Sequence, residues 1–177
     1  MNNSVESVLG DDHSSLGELL SELDTKVAEP NFARGFELLD LFWARLAVHI
    51  RAENLHLFPA LTNARASLFT GTGGLPTRDE VHDVLLRLRS DHDFFMKELA
   101  RTIKTMREIA DNQRAPAKEI EVVRQRMIII KKRLETHNRL EEEQVYTWPS
   151  LLFDEPMVAR LCEHLRHELE NLPPRFG

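Results

Sequence analysis

Apolar side chains recur three or four positions apart along most of the chain, in long stretches separated by short polar or proline-containing segments. This spacing places them on one face of an α-helix, where they can pack against neighbouring helices. Glycine is rare, at seven residues, and many of the eight prolines lie between the periodic stretches. The pattern therefore predicts an all-α protein.

The periodic stretches predict four long helices followed by a short fifth one. Their approximate limits are 11–28, 32–68, 77–111, 117–147 and 155–170, with residues 1–10 as a polar segment ahead of the first helix. The predicted turns are Pro30–Asn31, the segment TGTGGLPT (70–77) and the segment NQRAPA (112–117). Thr77 and Glu80 have the spacing of a capping box at the start of the third helix.

A weak internal repeat links the second and fourth predicted helices. In each, a histidine and a glutamate four residues apart precede an apolar and aromatic run with a proline: HIRAE (49–53) before LFPAL, and HNRLE (137–141) before VYTWPSL. Pro59 cannot donate a hydrogen bond to the Leu55 carbonyl, so we expect a kink there. Pro149 is expected to end or kink the fourth helix for the same reason.

Ionisable residues interrupt the apolar faces of the four long helices. They are His13, His49, Glu53, His92, His137 and Glu141. Residues four apart are neighbours on one helix face, so each His-x-x-x-Glu pair aims both side chains at one spot. The two remaining histidines fall on the faces of the first and third helices.

Counting from the predicted turns tests whether these residues can meet. In an up-down-up-down bundle with short loops, neighbouring helices are antiparallel. His13 is 17 residues before position 30 and His49 is 19 after it, so at ~1.5 Å per residue their heights differ by about 3 Å. The counts are 23 and 22 for His92 and His137 around position 115, and 20 and 19 for Glu53 and His92 around position 73. The six residues are therefore expected to form one layer.

Burying such a layer would be costly, because an unpaired polar group costs roughly 2–7 kcal/mol and an isolated charge costs more. Metal ions remove this cost, since imidazole supplies a nitrogen ligand and carboxylates neutralise the charge of the ion. A glutamate can also bridge two ions. Imidazole and carboxylate without thiolate suit iron and, less decisively, manganese or zinc.

The motif differs from that of ferritin-like di-iron proteins, which use Glu-x-x-His. The two His-x-x-x-Glu motifs, with His13 and His92 as single histidines in the same order, resemble the hemerythrin-like, or HHE cation-binding, family. The runs HLFPAL and EEEQVY strengthen the likeness. It covers residues 11–150, while 151–177 form an extra helix and tail beside the bundle.

The resemblance implies an up-down-up-down four-helix bundle with a non-haem di-iron centre. It implies that His13 and His49 bind one iron ion, and that His92 and His137 bind the other. Glu53 and Glu141 would bridge the ions, together with an oxo or hydroxo group.

The sequence departs from the oxygen-carrying hemerythrins in one respect. Their five-histidine pattern has an extra histidine one turn along the third helix, where this chain has Leu88 and Met96 four residues either side of His92. The difference argues against reversible oxygen carriage. His56, one turn after Glu53, is a candidate fifth imidazole, or alternatively a boundary residue or a group behind the ligands.

Other polar and aromatic residues have simpler interpretations. Asp12 suits the positive N-terminal end of the first helix, and Glu142 suits a solvated face. Trp43 is expected to be a core aromatic, and both Trp43 and Tyr146 are expected to lie near enough to the metals to shape access to them.

Charge and composition exclude several classes of function. The formal net charge of −6 argues against nucleic acid or an anionic membrane surface as the partner. Cys162 is the single cysteine, so no intrachain disulfide can form. No apolar run approaches the ~18 residues of a membrane helix, and the N-terminus lacks signal-peptide features. A cytoplasmic location is therefore expected.

These observations favour a di-iron protein that binds or senses O2, NO or peroxide, or that handles iron, rather than an enzyme. Two alternatives stay open. One is a helical interaction module with a structural or degenerate metal site. The other is a di-iron oxidase or peroxidase, which would need a substrate pocket beside the metals. The sequence gives neither the ligand nor the oligomeric state.

Overall fold

The computed structural model describes residues 4–27, 32–111 and 117–174, and every regular element in these ranges is helical. The elements are α1 (Val5–Val27), α2 (Phe32–Ala52), a π-helical turn (Glu53–Leu57), α3 (Phe58–Thr62), a 3-10 turn (Ala66–Leu68), α4 (Arg78–Asp111), α5 (Ala117–Leu140), a second π-helical turn (Glu141–Val145), α6 (Trp148–Leu152) and α7 (Glu155–Leu169). None of the described helices has a segment long and apolar enough to span a membrane. The predicted turn at Pro30–Asn31 and most of the NQRAPA segment lie outside the described residues.

The first helix begins earlier than its sequence pattern predicted. Residues 5–10, expected to be a polar lead-in, are helical, and Val5 and Leu9 are fully buried. The Ser4 hydroxyl accepts a hydrogen bond from the Ser7 N–H and caps the helix. The prediction was wrong because the apolar stripe extends through the polar residues to Val5, which packs in the same core as α7.

The second predicted helix is also modified. It ends at Thr62 rather than near 68, and a π-helical turn separates α2 from α3. In that turn the Phe58 N–H donates to the Glu53 carbonyl, five residues back. Pro59 follows in the first turn of α3, where its missing N–H is tolerated.

The fourth predicted helix contains the matching feature. Here the Tyr146 N–H donates to the Glu141 carbonyl over 2.9 Å, and Pro149 lies in the first turn of α6. Both π-helical turns therefore begin at the glutamate of a His-x-x-x-Glu motif. Such turns occur often at functional sites.

The long helices pack side by side. Helix α1 packs on α2, α2 on α4, and α4 on α5, while α7 packs on α1 and α2. The buried side chains form two apolar clusters. Cluster one includes Val5, Leu9, Leu57, Leu88, Val145 and Leu165. Cluster two includes Leu16, Leu39, Leu46, Phe95, Leu99, Met127 and Leu134.

A buried polar layer lies between the two clusters. In each long helical segment, the buried residues on one side of a single point belong to one cluster and those on the other side belong to the other cluster. The points lie between Leu9 and Leu16, between Ile50 and Ala52, between Leu88 and Phe95, and between Leu134 and Val145. Each change falls at or beside one of the six ionisable residues. The direction of the change reverses from one segment to the next along the chain.

The predicted capping box at the start of α4 is confirmed. The Glu80 N–H donates to the Thr77 hydroxyl over 3.1 Å, and the Thr77 N–H donates to the Glu80 carboxylate over 3.4 Å. The preceding loop reaches it through left-handed backbone at Gly71, Gly73 and Gly74. This cap fixes where α4 begins, and therefore the register of His92.

We expect Thr77→Ala to lower the free energy of unfolding by about 1 kcal/mol, because the Glu80 N–H loses its acceptor at the helix end. Chemical denaturation measures the effect. Thr72→Ala is the matched control, since Thr72 lies in the same exposed loop and its hydroxyl contacts only the Thr70 hydroxyl among the described contacts. Equal stabilities of the two variants would contradict the role of the cap.

Candidate metal centre

The six ionisable residues predicted to form a layer are all buried, and none is more than 6% exposed. Their side chains form two groups that could each hold a metal ion. One group contains His13, His49 and Glu141, and the other contains Glu53, His92, His137 and Glu141.

The first group is centred on two imidazoles. The Nε2 atoms of His13 and His49 are 3.1 Å apart. The Glu141 Oε2 atom is 3.4 Å from His13 Nε2, and the Glu53 Oε1 atom is 3.6 Å from His49 Nε2. Two imidazoles therefore face one oxygen from each carboxylate.

The second group repeats this arrangement with the other two imidazoles. His92 Nε2 is 3.2 Å from Glu53 Oε2 and 3.8 Å from Glu141 Oε1. His137 Nε2 is 3.0 Å from Glu141 Oε1. Each glutamate thus directs one oxygen to the first group and the other oxygen to the second, as a carboxylate that bridges two ions would.

Three atoms of the second group lack hydrogen-bond partners although they are buried: Glu53 Oε2, His92 Nε2 and Glu141 Oε1. They are nevertheless close together, at 3.2 Å between His92 Nε2 and Glu53 Oε2 and 3.8 Å between His92 Nε2 and Glu141 Oε1. Two ligands bound at roughly 2.0–2.2 Å to one ion, at right angles, lie about 3 Å apart. The donor atoms therefore fit a shared metal ion better than a hydrogen-bonded network.

The other ring nitrogen of each histidine has a polar partner. Asp12 Oδ2 is 2.8 Å from His49 Nδ1, and Asp91 Oδ2 is 3.2 Å from His137 Nδ1. Glu142 Oε1 is 2.8 Å from His13 Nδ1. A carboxylate in this position accepts a hydrogen bond from the Nδ1–H group and leaves Nε2 free to bind a metal.

The fourth histidine differs, because its partner is an amide rather than a carboxylate. The Asn54 side-chain nitrogen lies 3.4 Å from His92 Nδ1. His92 is also stacked on the Phe58 ring, with ring centres 5.7 Å apart and planes within 2°.

The sequence interpretation missed these partners. Asp12 was assigned to the helix terminus and Glu142 to a solvated face, and the Glu142 side chain is indeed half exposed. The available signal was a repeated Asp-His dipeptide at 12–13 and 91–92. In each case the aspartate binds a histidine of the neighbouring helix rather than the histidine that follows it.

Each of the two aspartates is held by an arginine. Arg45 donates to Asp12 over 2.8 Å, and Arg133 donates to Asp91 over 2.7 Å. Burial would raise the pKa of both aspartates, but bonds to the histidines and arginines lower it. Both carboxylates therefore stay charged and fix the orientation of the imidazoles.

The ligand groups strongly affect one another's protonation. Burial alone would lower the pKa of His49, but the charges of Glu53 and Asp12 raise it to about 10. Burial would likewise lower the pKa of His137, but the neighbouring carboxylates of Asp91 and Glu141 raise it to about 9. Both imidazoles are therefore protonated near pH 7 unless a metal ion takes the place of the proton.

Tyr146 is a further member of the site. It is fully buried, and its hydroxyl donates to Glu53 Oε1 over 2.8 Å. The Tyr146 hydroxyl oxygen is also 3.0 Å from His13 Nε2 and 3.3 Å from both His49 Nε2 and Glu141 Oε2. Burial and the charges of the two glutamates hold its pKa well above the usual range. Sequence reasoning had placed Tyr146 near the metals without predicting these contacts.

Two other sequence candidates lie away from the ligand atoms. His56 Nε2 is 3.7 Å from Glu168, which also pairs with Arg51, and its ring lies against His164. The structure therefore does not bring His56 to either group. Trp43 packs on cluster two instead.

A surface cavity of about 400 Å³ adjoins the second group. It is lined by Ile50, Asn54, Arg89, Ser90, His92, Asp93 and Met96. His92 is the one metal-ligand candidate among these residues. The cavity adjoins the Nδ1 side of His92, where Asn54 lies, and a second cavity of about 350 Å³ is lined by Asp12, the partner of His49 Nδ1.

Comparison with known proteins found no matching family model, no matching curated protein and no matching solved structure.

We expect Asp12→Asn to weaken metal binding by 10- to 100-fold, because His49 loses the charged acceptor that orients its ring. Competition with a chelator under anaerobic conditions measures the affinity for Fe²⁺. Asp11→Asn is the matched control, since Asp11 precedes Asp12 in the sequence and its own side chain is exposed. Equal affinities in the two variants would show that the Asp12–His49 bond does not support the site.

Metal loading at pH 7 should release at least two protons per chain, because His49 and His137 are protonated in the metal-free protein and must lose their protons to bind. Their raised pKa values also mean that the affinity for Zn²⁺ still rises between pH 7 and pH 8. Calorimetry in buffers of different ionisation enthalpy counts the protons. An affinity that is constant above pH 7, as for histidines with the ordinary pKa of 6.5, would contradict this expectation.

Proposed function

We propose that the chain is a hemerythrin-like protein whose buried layer binds two iron ions and, through them, a small molecule such as O2, NO or peroxide. The observation that carries the proposal is the division of both glutamates between two pairs of histidines. Each carboxylate directs one oxygen to His13 and His49 and the other to His92 and His137.

The packing supports a four-helix bundle with neighbouring helices antiparallel. Along the chain, the four long segments cross the polar layer alternately from cluster one to cluster two and back. That alternation is expected of up-down-up-down connectivity. The extra helix α7 packs on α1 and α2, outside the stretch that resembles the family.

The donor set supports iron as the metal. Four imidazoles and two carboxylates without a thiolate suit iron, whereas manganese and zinc are less favoured alternatives. When bound, iron supplies a Lewis acid that changes oxidation state and has affinity for O2, NO and peroxide. The protein residues hold the imidazoles in place, exclude bulk water and limit access.

The surroundings favour binding of a small molecule over turnover of a large substrate. The ligand atoms are buried, and the neighbouring cavities are lined by the groups behind the imidazoles, Asn54 at His92 and Asp12 at His49. Neither Leu88 nor Met96, one turn either side of His92, supplies the further imidazole of the oxygen carriers. The proposed role is therefore sensing, detoxification or iron handling rather than reversible oxygen transport.

Metal analysis of protein purified anaerobically should give two iron ions per chain, and His49→Ala should lose at least one of them because its group then has one imidazole. His82→Ala is the control, since the His82 side chain is 66% exposed and does not belong to the buried layer. The reduced protein should also develop a new optical band on addition of NO. Less than one metal ion per chain, with no loss in His49→Ala, would refute the proposal.

The same experiment separates the two alternatives. Two iron ions without a new band after addition of NO, azide or O2 would indicate a structural metal site in an interaction module. Multiple turnovers of an oxidisable substrate or of peroxide would indicate an enzyme.

A further inference from the structure

The Tyr146 hydroxyl lies within 3.3 Å of four polar atoms that also converge on one another. They are Glu53 Oε1, His13 Nε2, His49 Nε2 and Glu141 Oε2. A phenol has one proton to donate, so hydrogen bonding from Tyr146 satisfies only one of these neighbours. Its oxygen can accept from the two imidazoles, but its single proton cannot serve both glutamate oxygens.

The distances agree with those between ligands of a single metal ion. The contacts among His13, His49, Tyr146 and the two glutamate oxygens range from 2.8 to 3.6 Å. Neighbouring ligands at right angles around one ion are about 3 Å apart. The phenolic oxygen therefore occupies the position of a fifth donor in the first group.

The backbone gives Tyr146 this position through the second π-helical turn. The Tyr146 N–H binds the Glu141 carbonyl five residues back, so one turn of helix separates the two residues. In a regular α-helix, residue 145 would hold that place instead. The π-helical turn thus brings the phenol to the same side as the Glu141 carboxylate.

We propose that Tyr146 is a fifth protein ligand, through its phenolate oxygen, of the ion held by His13 and His49, and that the small molecule therefore binds the ion at His92 and His137. The inference rests on the proposed di-iron site. The phenol proton is released to solvent as the oxygen–iron bond forms, and no oxidation change is required.

The other half of the site lacks an equivalent donor. Phe58 follows Glu53 by five residues, as Tyr146 follows Glu141, and its N–H likewise binds the glutamate carbonyl. The Phe58 ring stacks on His92 and offers no ligand atom. An ion there would have four protein donors, one fewer than the ion at His13 and His49. The two ions would therefore differ in their capacity to accept a further ligand.

Tyr146 is the single tyrosine of the chain, which makes the assignment testable by spectroscopy. The ferric protein with two iron ions should show a tyrosinate-to-iron charge-transfer band in the visible region. Resonance Raman spectra excited in that band should show phenolate vibrations that shift when the tyrosine is ring-deuterated. Tyr146→Phe should lose the band while keeping two iron ions, and His82→Ala, at an exposed position, is the control that should retain it.

Azide binding tests the second part of the proposal. Tyr146→Phe should bind azide within threefold of the unmodified protein, because the ligand binds the other ion. A gain of more than tenfold would show that Tyr146 blocks the binding position and would overturn this part.

The failure of this inference differs from failure of the proposed function. Two iron ions per chain without phenolate vibrations would overturn the tyrosine ligand and leave the di-iron site intact. Less than one iron ion per chain would overturn both. If Tyr146→Phe does not fold, the ring-deuterated unmodified protein decides the question by itself.

Discussion

The structure depends on satisfying a layer of ionisable side chains between two apolar clusters. A helical core can bury such groups only if each one finds a partner. The Nδ1 atoms contact polar groups behind the layer, whereas the Nε2 atoms and carboxylate oxygens converge on shared points where three of them have no hydrogen-bond partner. Arg45 and Arg133 complete the arrangement by holding Asp12 and Asp91 in their charged forms. The layer therefore links surface arginines to the centre of the bundle.

The sequence predicted the helices and the six-residue layer because both follow from periodicity and counting. It did not predict the partners of the histidines. Asp12 and Asp91 contact histidines on neighbouring helices, and a contact between two helices does not require a fixed spacing of the two residues along the sequence. The early start of α1 was missed because Val5 lies beyond a run of polar residues. The π-helical turns were missed because a five-residue hydrogen bond does not appear in a pattern based on 3.6 residues per turn. Tyr146 depends on such a turn.

The internal repeat explains both the symmetry of the site and its departure from symmetry. Each repeat supplies a histidine, a glutamate that starts a π-helical turn, and an aromatic residue five positions after the glutamate. The two aromatic residues differ by one oxygen atom, because Phe58 stands where the other repeat has Tyr146. A duplicated scaffold thereby produces two unlike halves. This difference does not depend on loops or on distant residues. The additional hydroxyl group of Tyr146 is in direct contact with the buried layer.

The cost of the layer argues that binding, rather than folding, accounts for it. Without a metal ion the site is a buried set of imidazole and carboxylate groups, and ion pairs among buried groups are weak contributors to stability. Replacing buried ion pairs by apolar residues is often neutral or stabilising by about 1–4 kcal/mol. Leucine side chains at these positions would join cluster one to cluster two in a continuous core. The chain instead keeps Glu53 and Glu141 fully buried between them, which is understandable if a bound ion supplies the compensating charge.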